Sequence, residues 1–199
     1  MTLPGWTPWP RRPVVTGLLA IQPALSVAET TYLTQFCESR RWDRPGGPYA
    51  VPANPAAECL DAQLDMDAFV RPASGQPSLY CPWLPGPDGR SLRPKYRPLV
   101  SDGSDAAGEE PGPAAAADRV VAWLAYLYEH FFAPDARLVG VLPAAGADGF
   151  DGFEPHDLAG AVAVSDPRTG RLDAVVVHGG RIECRLVHAG WSRGLQLSA

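Results

Sequence analysis

A chain of 199 residues, 46% of them hydrophobic, is long enough to bury one good core, or at a stretch two small ones. Its 20 glycines and 22 prolines point to long irregular loops, while staying below the roughly 25–30% that marks a low-complexity chain. A formal net charge of −5 argues against a dedicated nucleic-acid binder, whose affinity rests on a basic surplus, and no run of about 18 apolar residues is present to span a membrane as a helix.

Residues 1–13 read as a proline-rich arm carrying Trp6 and Trp9, which are expected to pack back on the domain. Arg11 and Arg12 precede only a short apolar run, so no signal peptide is expected and a cytoplasmic protein follows. Val14 to Ile21 predicts a strand closed by Pro23. Ser26-Val-Ala-Glu29 is a capping box that opens a helix through about Arg41, with Leu25, Ala28, Tyr32, Leu33, Phe36 and Cys37 on its apolar face. Arg40 and Arg41 then fall in its last turn, where cations suit the helix dipole.

Breakers crowd residues 42–76. Tyr49–Val51 reads as a short strand and Ala62 to Val70 as an edge strand, from its partial alternation. Gln76 to Leu84 lies between prolines and predicts a short strand at an edge or a sheet end, followed by a turn at Pro85–Gly89. Residues 101–113 are acidic and small, and are expected to form a mobile loop.

The strongest signal is Ala117 to Ala133. Val120, Trp123, Leu124, Leu127, Tyr128 and Phe131 recur at three- and four-residue steps, widened by Val121 and Phe132, and predict a central core helix stopped by Pro134. Arg137–Leu142 reads as a strand and residues 146–157 as a glycine-rich loop. Three strands follow: Leu158–Ser165, Arg171–His178 and Arg181–His188. Gly179–Gly180 suits a two-residue hairpin that sets Val175 and Val177 opposite Cys184 and Ile182, with Val176 opposite Glu183. Together these elements predict an α+β fold: residues 14–199 as one domain, an antiparallel sheet with two main helices packed on one face. A ferredoxin-like split arrangement is one description of it; strand order is not legible.

Chemistry-bearing motifs are few. Glu154, His156 and Asp157 in the 152–157 loop could serve acid–base work or hold a metal, although one histidine with neighbours is not a ligand set and a solvated turn explains them equally well. Glu129-His130 lacks the second histidine of a zinc helix, and His178 and His188 sit far apart on paired strands. No metal or other cofactor is expected. Cys37, Cys59, Cys81 and Cys184 form no Cys-x-x-Cys pair and read as reduced, partly buried thiols; Cys81, beside Trp83, has no local histidine to activate it. Arg90, Arg93, Lys95, Tyr96 and Arg97 make the one basic cluster with an aromatic, and with Arg40, Arg41 and Arg44 could make a phosphate-binding patch. A solvated loop offset by the acidic stretch nearby is the simpler account.

Taken together, Gly17, Pro23, Glu29, Tyr32, Leu33, Arg40, Arg41, Gly47-Pro48-Tyr49, Gln76-Pro-Ser-Leu-Tyr-Cys-Pro-Trp83, Asp88-Gly89, Trp123-Leu-x-Tyr-Leu127 and Phe132-x-Pro134 form a pattern over most of the chain. That pattern resembles small uncharacterised proteins of GC-rich actinobacteria and their phages. The resemblance implies no activity.

The function expected from the sequence is therefore a small, non-catalytic binding or protein-interaction module for an unidentified protein or small-molecule partner. Its surface is expected around Trp83, Arg90, Arg93, Lys95, Tyr96 and Arg97. A hydrolase-type enzyme using Glu154, His156 and Asp157 is the alternative, followed by a phosphate or nucleic-acid binder through the 90–97 cluster.

Overall fold

The computed structural model describes residues 13–52, 65–95, 113–141, 150 and 152–190. The arm before Pro13 and the acidic stretch before Pro113 lie outside the described residues, as do Cys59, Tyr96 and Arg97.

The chain enters as β1 (Val14–Gln22), with Leu19 and Ile21 buried and Val14, Thr16 and Leu18 exposed. Helix α1 (Val27–Glu38) opens on the capping box. Ser26 Oγ accepts from the Glu29 N–H at 3.2 Å, and Glu29 Oε2 accepts from the Ser26 N–H at 2.7 Å. Tyr32, Leu33, Phe36 and Cys37 are buried, as the helical spacing predicts. The helix stops at Glu38, with Ser39 already extended, so Arg40 and Arg41 are not last-turn cations. They lead into the irregular segment instead.

In that segment Tyr49–Val51 is not a strand. Met66–Phe69 is a short helix, α2, where alternation suggested an edge strand. Asp65 decides it, because its Oδ1 accepts from the N–H groups of Asp67 (2.9 Å) and Ala68 (3.2 Å) and so nucleates a helical turn. Ala62–Leu64 lie outside the described residues. β2 is confined to Trp83–Pro85, since Pro77 and Pro82 have no N–H to give a ladder. The turn at Gly86–Gly89 returns the chain as β3 (Ser91–Pro94).

Helix α3 (Pro113–Leu127) starts earlier than the apolar stripe, with a proline at its first turn. It continues as one π-helical turn, Tyr128–Phe132, in which the Ala133 N–H reaches back to the Tyr128 carbonyl at 2.8 Å. Of the expected strand Arg137–Leu142, the described residues Arg137–Val141 do not form one, and Leu142 lies outside the described residues. The Arg137 and Leu138 N–H groups bond back to the carbonyls of Glu129 and His130, which leaves no ladder there beyond an isolated bridge from Val139 to Phe153. A meander of β4 (Asp157–Asp166), β5 (Arg171–His178) and β6 (Arg181–Ala189) follows.

All six strands form one antiparallel sheet in the order β2-β3-β1-β4-β5-β6. This order is not clearly ferredoxin-like, because β4, β5 and β6 run as an uninterrupted meander with no helix between them. The hairpin register is the one the sequence predicts, with Val175 opposite Cys184, Val176 opposite Glu183 and Val177 opposite Ile182. Gly179 and Gly180 both take positive φ (54° and 75°), as a type I′ turn requires.

One hydrophobic core joins the sheet's inner face (Leu19, Ile21, Leu158, Val162, Val175 and Val177) to α1 and α3. Val120, Trp123, Leu124, Leu127, Phe131 and Phe132 are buried, and Tyr128 is half-buried. Tyr126, outside the predicted stripe, is buried too. Gln76 and Ser78, ahead of β2, also bond to α3: Ser78 Oγ accepts from Trp123 Nε1 at 2.8 Å, and Gln76 Nε2 donates to the Tyr126 hydroxyl at 3.3 Å. No helix among the described residues is long and apolar enough to cross a membrane.

Candidate functional site

The 152–157 loop meets α1 through Glu29. β1 ends at Gln22 and the capping box fixes the first turn of α1, which places the Glu29 carboxylate beside the start of β4. Glu29 Oε2 holds the Ser26 N–H. Its other oxygen, Oε1, accepts from the Glu154 N–H at 2.7 Å and from His156 Nε2 at 3.0 Å. His156 Nδ1 lies 2.8 Å from the Pro23 carbonyl, and its backbone N–H bonds to the Phe132 carbonyl at 2.7 Å. Glu29 is 3% exposed and His156 4%.

The partners dictate the protonation state. A carbonyl and a carboxylate can only accept, so both ring nitrogens of His156 must donate, and the ring is an imidazolium. Burial alone would push the Glu29 carboxyl up. The bonds from His156, Glu154 and Ser26 outweigh it and hold it at about 2. Burial would likewise lower His156, but the bonds to Glu29 and Pro23 raise it above its ordinary value.

The arrangement ties α1, the turn at Pro23, the π-helical turn and β4 into one joint. Its chemistry is that of a closed ion pair: His156 has no nitrogen lone pair to take a substrate proton or bind a metal. Of the three residues the sequence singled out, only His156 enters this joint through its side chain. Glu154 joins through its backbone N–H, and both Glu154 and Asp157 are otherwise exposed. Among the described residues no group of three or more His, Cys, Asp or Glu gathers as metal ligands do.

A second polar seam lies on the other side of α3, and no motif announces it. Arg41 is fully buried, with its guanidinium 3.9 Å over the Phe36 ring. It donates to Ser39 Oγ (2.9 Å), the Ala50 carbonyl (3.1 Å), Gln76 Oε1 (3.4 Å) and the Pro48 carbonyl. Among the described residues its partners are all neutral oxygens, and burial lowers it to about 10, still protonated at neutral pH. His130 stacks on Tyr126 at 3.9 Å, and its Nδ1 is 2.6 Å from the Tyr49 hydroxyl. Burial, with help from Arg137, lowers His130 to about 4, so this imidazole is neutral. The two buried histidines therefore differ in charge: His156 is cationic through its two acceptors, and His130 is neutral through burial.

No family model, curated protein or solved structure matches the chain. The site is therefore defined by its geometry alone.

The basic cluster does not assemble as a patch with Arg40, Arg41 and Arg44. Arg40 donates to the Phe69 carbonyl (2.8 Å) and the Tyr80 hydroxyl (2.7 Å), Arg41 is inside, and Arg44 is buried with a bond to the Arg40 carbonyl. Trp83 is core, not surface. Lys95 is half-buried, with Nζ on the Cys37 carbonyl. Arg90 and Arg93 remain exposed on the β2–β3 hairpin. Cys37 and Cys81 are buried with their thiols in contact, and burial raises Cys37. Cys184 is exposed on β6. His178 and His188 stand at opposite ends of the β5–β6 ladder.

Proposed function

We propose that the chain is a small non-catalytic binding or protein-interaction module, and that Arg90 and Arg93 on the β2–β3 hairpin contact an acidic protein partner. The observation that carries this reading is the closed state of His156. The best acid–base candidate in the sequence is itself buried and has both ring nitrogens bonded to acceptors, the Glu29 carboxylate and the Pro23 carbonyl, while Arg90 and Arg93 are exposed and make no ion pair among the described residues. The hydrolase alternative needs His156 to release one of those bonds. The phosphate alternative loses Arg40, Arg41 and Arg44, whose guanidinium groups serve the interior.

The test places a photo-crosslinking residue at position 93 of the full chain in the cells that make it. A single crosslinked protein that is lost on Arg90→Glu and retained in a folded His156→Gln variant supports the module. Turnover of an ester or phosphate substrate that disappears in His156→Gln, at unchanged melting temperature, overturns it. Retention of a nucleic acid that falls steeply with salt favours the phosphate reading instead.

A further inference from the structure

Strand β6 is the last in the sheet, and among the described residues nothing pairs with its outer edge. It is nine residues long, and Cys184, Leu186 (55%) and Val187 (59%) are exposed. Such an edge invites another strand unless something blocks it. No proline, lysine or inward charge interrupts Arg181–Leu186.

The two-residue turn fixes which groups face outward. In such a hairpin the closing pair, His178 and Arg181, exchanges both main-chain bonds, and the pattern then alternates. Arg181, Glu183 and Arg185 thus aim their backbone at β5, while Ile182, Cys184 and Leu186 aim theirs at the open edge. The bulge sets the limit of this stretch: Leu172 pairs with His188 and Asp173 with Leu186, leaving Val187 as the extra residue. The pairable edge is therefore 181–187, centred on Cys184.

A second copy fits this edge. We propose that two chains associate through β6, antiparallel and about a twofold axis at Cys184, to form one continuous sheet. In that register Glu183 faces Arg185 of the other copy on the outer face, twice by symmetry, and Ile182 faces Leu186 on the inner face. Cys184 faces its own counterpart. Moving the centre by one residue, to Glu183 or Arg185, sets like charges opposite each other and aims the wrong backbone groups at the seam. Within each copy Glu183 already holds Arg181 at 3.2 Å and Arg185 at 2.5 Å, so the outer row of the edge is pre-ordered. The two inner faces fall on the same side of the joined sheet, as an isologous contact requires. This surface is separate from the hairpin of β2 and β3 at the other end of the sheet, so the proposal stands or fails independently of the partner assigned there.

Sedimentation velocity on the purified full chain is the test. The unmodified protein should show a concentration-dependent dimer. Glu183→Arg and Arg185→Glu should each weaken it by about tenfold or more, and the double exchange should restore it to within about threefold, since opposite charges again face each other across the seam. A directly opposed hydrogen-bonded pair sets its Cα atoms about 5.5 Å apart, inside the range a disulfide spans. Oxidation by copper–phenanthroline and dioxygen, in a Cys59→Ser background, should therefore give a reducible covalent dimer that Cys184→Ser abolishes. Circular dichroism confirms that each variant is folded. A chain that stays monomeric, a charge exchange that restores nothing, or a crosslink that survives Cys184→Ser would overturn the proposal.

Discussion

Replacing His156 with leucine removes the one cationic donor, among the described residues, to a carboxylate that is 3% exposed. Glu29 keeps the N–H groups of Ser26 and Glu154, at 2.7 Å each, but loses its counter-charge. Removing one partner of a buried pair costs about 3–5 kcal/mol, because the other is left uncompensated. At about 2–4 °C per kcal/mol for a chain of this size, the melting temperature should fall by about 6–20 °C. The pH profile should change with it. His156 is raised above its ordinary 6.5, so its contribution is complete below 6.5 and disappears as pH rises through the folded-state value. Glu29 is lowered from 4.5 to about 2, so its contribution is complete above 4.5 and fades as pH falls toward 2. Thermal melts from pH 3 to 10 should show the wild type losing stability on the alkaline side and His156→Leu lacking that loss. A variant melting within about 1 °C of wild type at pH 6, with the same alkaline slope, would refute the reasoning.

Arg41→Met should destabilise by about 2–4 kcal/mol in urea unfolding, through the unsatisfied Ala50 and Pro48 carbonyls and lost packing on Phe36, and Arg41→Lys should not rescue it because the planar fork is gone. His130, lowered to about 4, should cost stability as pH falls from 6.5 toward 4, because the unfolded chain takes the proton first; His130→Phe should flatten that part of the melting profile. Ser78→Ala leaves the buried Trp123 indole N–H without its acceptor and should cost about 1–3 kcal/mol by the same unfolding measurement. Gly17→Ala forces φ near 112° on an L-residue and drives a Cβ to 2.8 Å from the Ala161 carbonyl oxygen, whereas Gly47, at φ 87°, has open space. Gly17→Ala should therefore lose more than Gly47→Ala, by about 1–3 kcal/mol.

The elements that the sequence made legible are those whose signals are local. The capping box at Ser26, the apolar spacing of α3 and the Gly179–Gly180 turn each depend on residues a few positions apart, and all stand as read. The misplaced elements lie where a distant or competing partner decides. Alternation through Val70 lost to the Asp65 cap, and Arg137 and Leu138 gave their backbone donors to the π-helical turn that follows α3. The place of β1 in the middle of the sheet, between β3 and β4, has no sequence signal. For the site, His156 was visible as a lone histidine in a glycine-rich loop, and Glu29 as a capping residue. Nothing in the sequence joins them across 127 positions, and that contact, with the Pro23 carbonyl, gives both ring nitrogens of His156 an acceptor. Arg41 differs for a related reason: the sequence places it in the last turn as a cation suited to the helix dipole, whereas the helix stops at Glu38 and the side chain is buried.

The most direct test is nitrogen NMR of the histidine rings in the folded chain. The account predicts that His156 carries a proton on both Nδ1 and Nε2 at neutral pH, with its titration raised above the ordinary 6.5, while the His130 ring is neutral until about pH 4. A His156 ring with one bare nitrogen at neutral pH, titrating with solvent near its ordinary value, would contradict the closed ion pair and reopen the loop as an acid–base site.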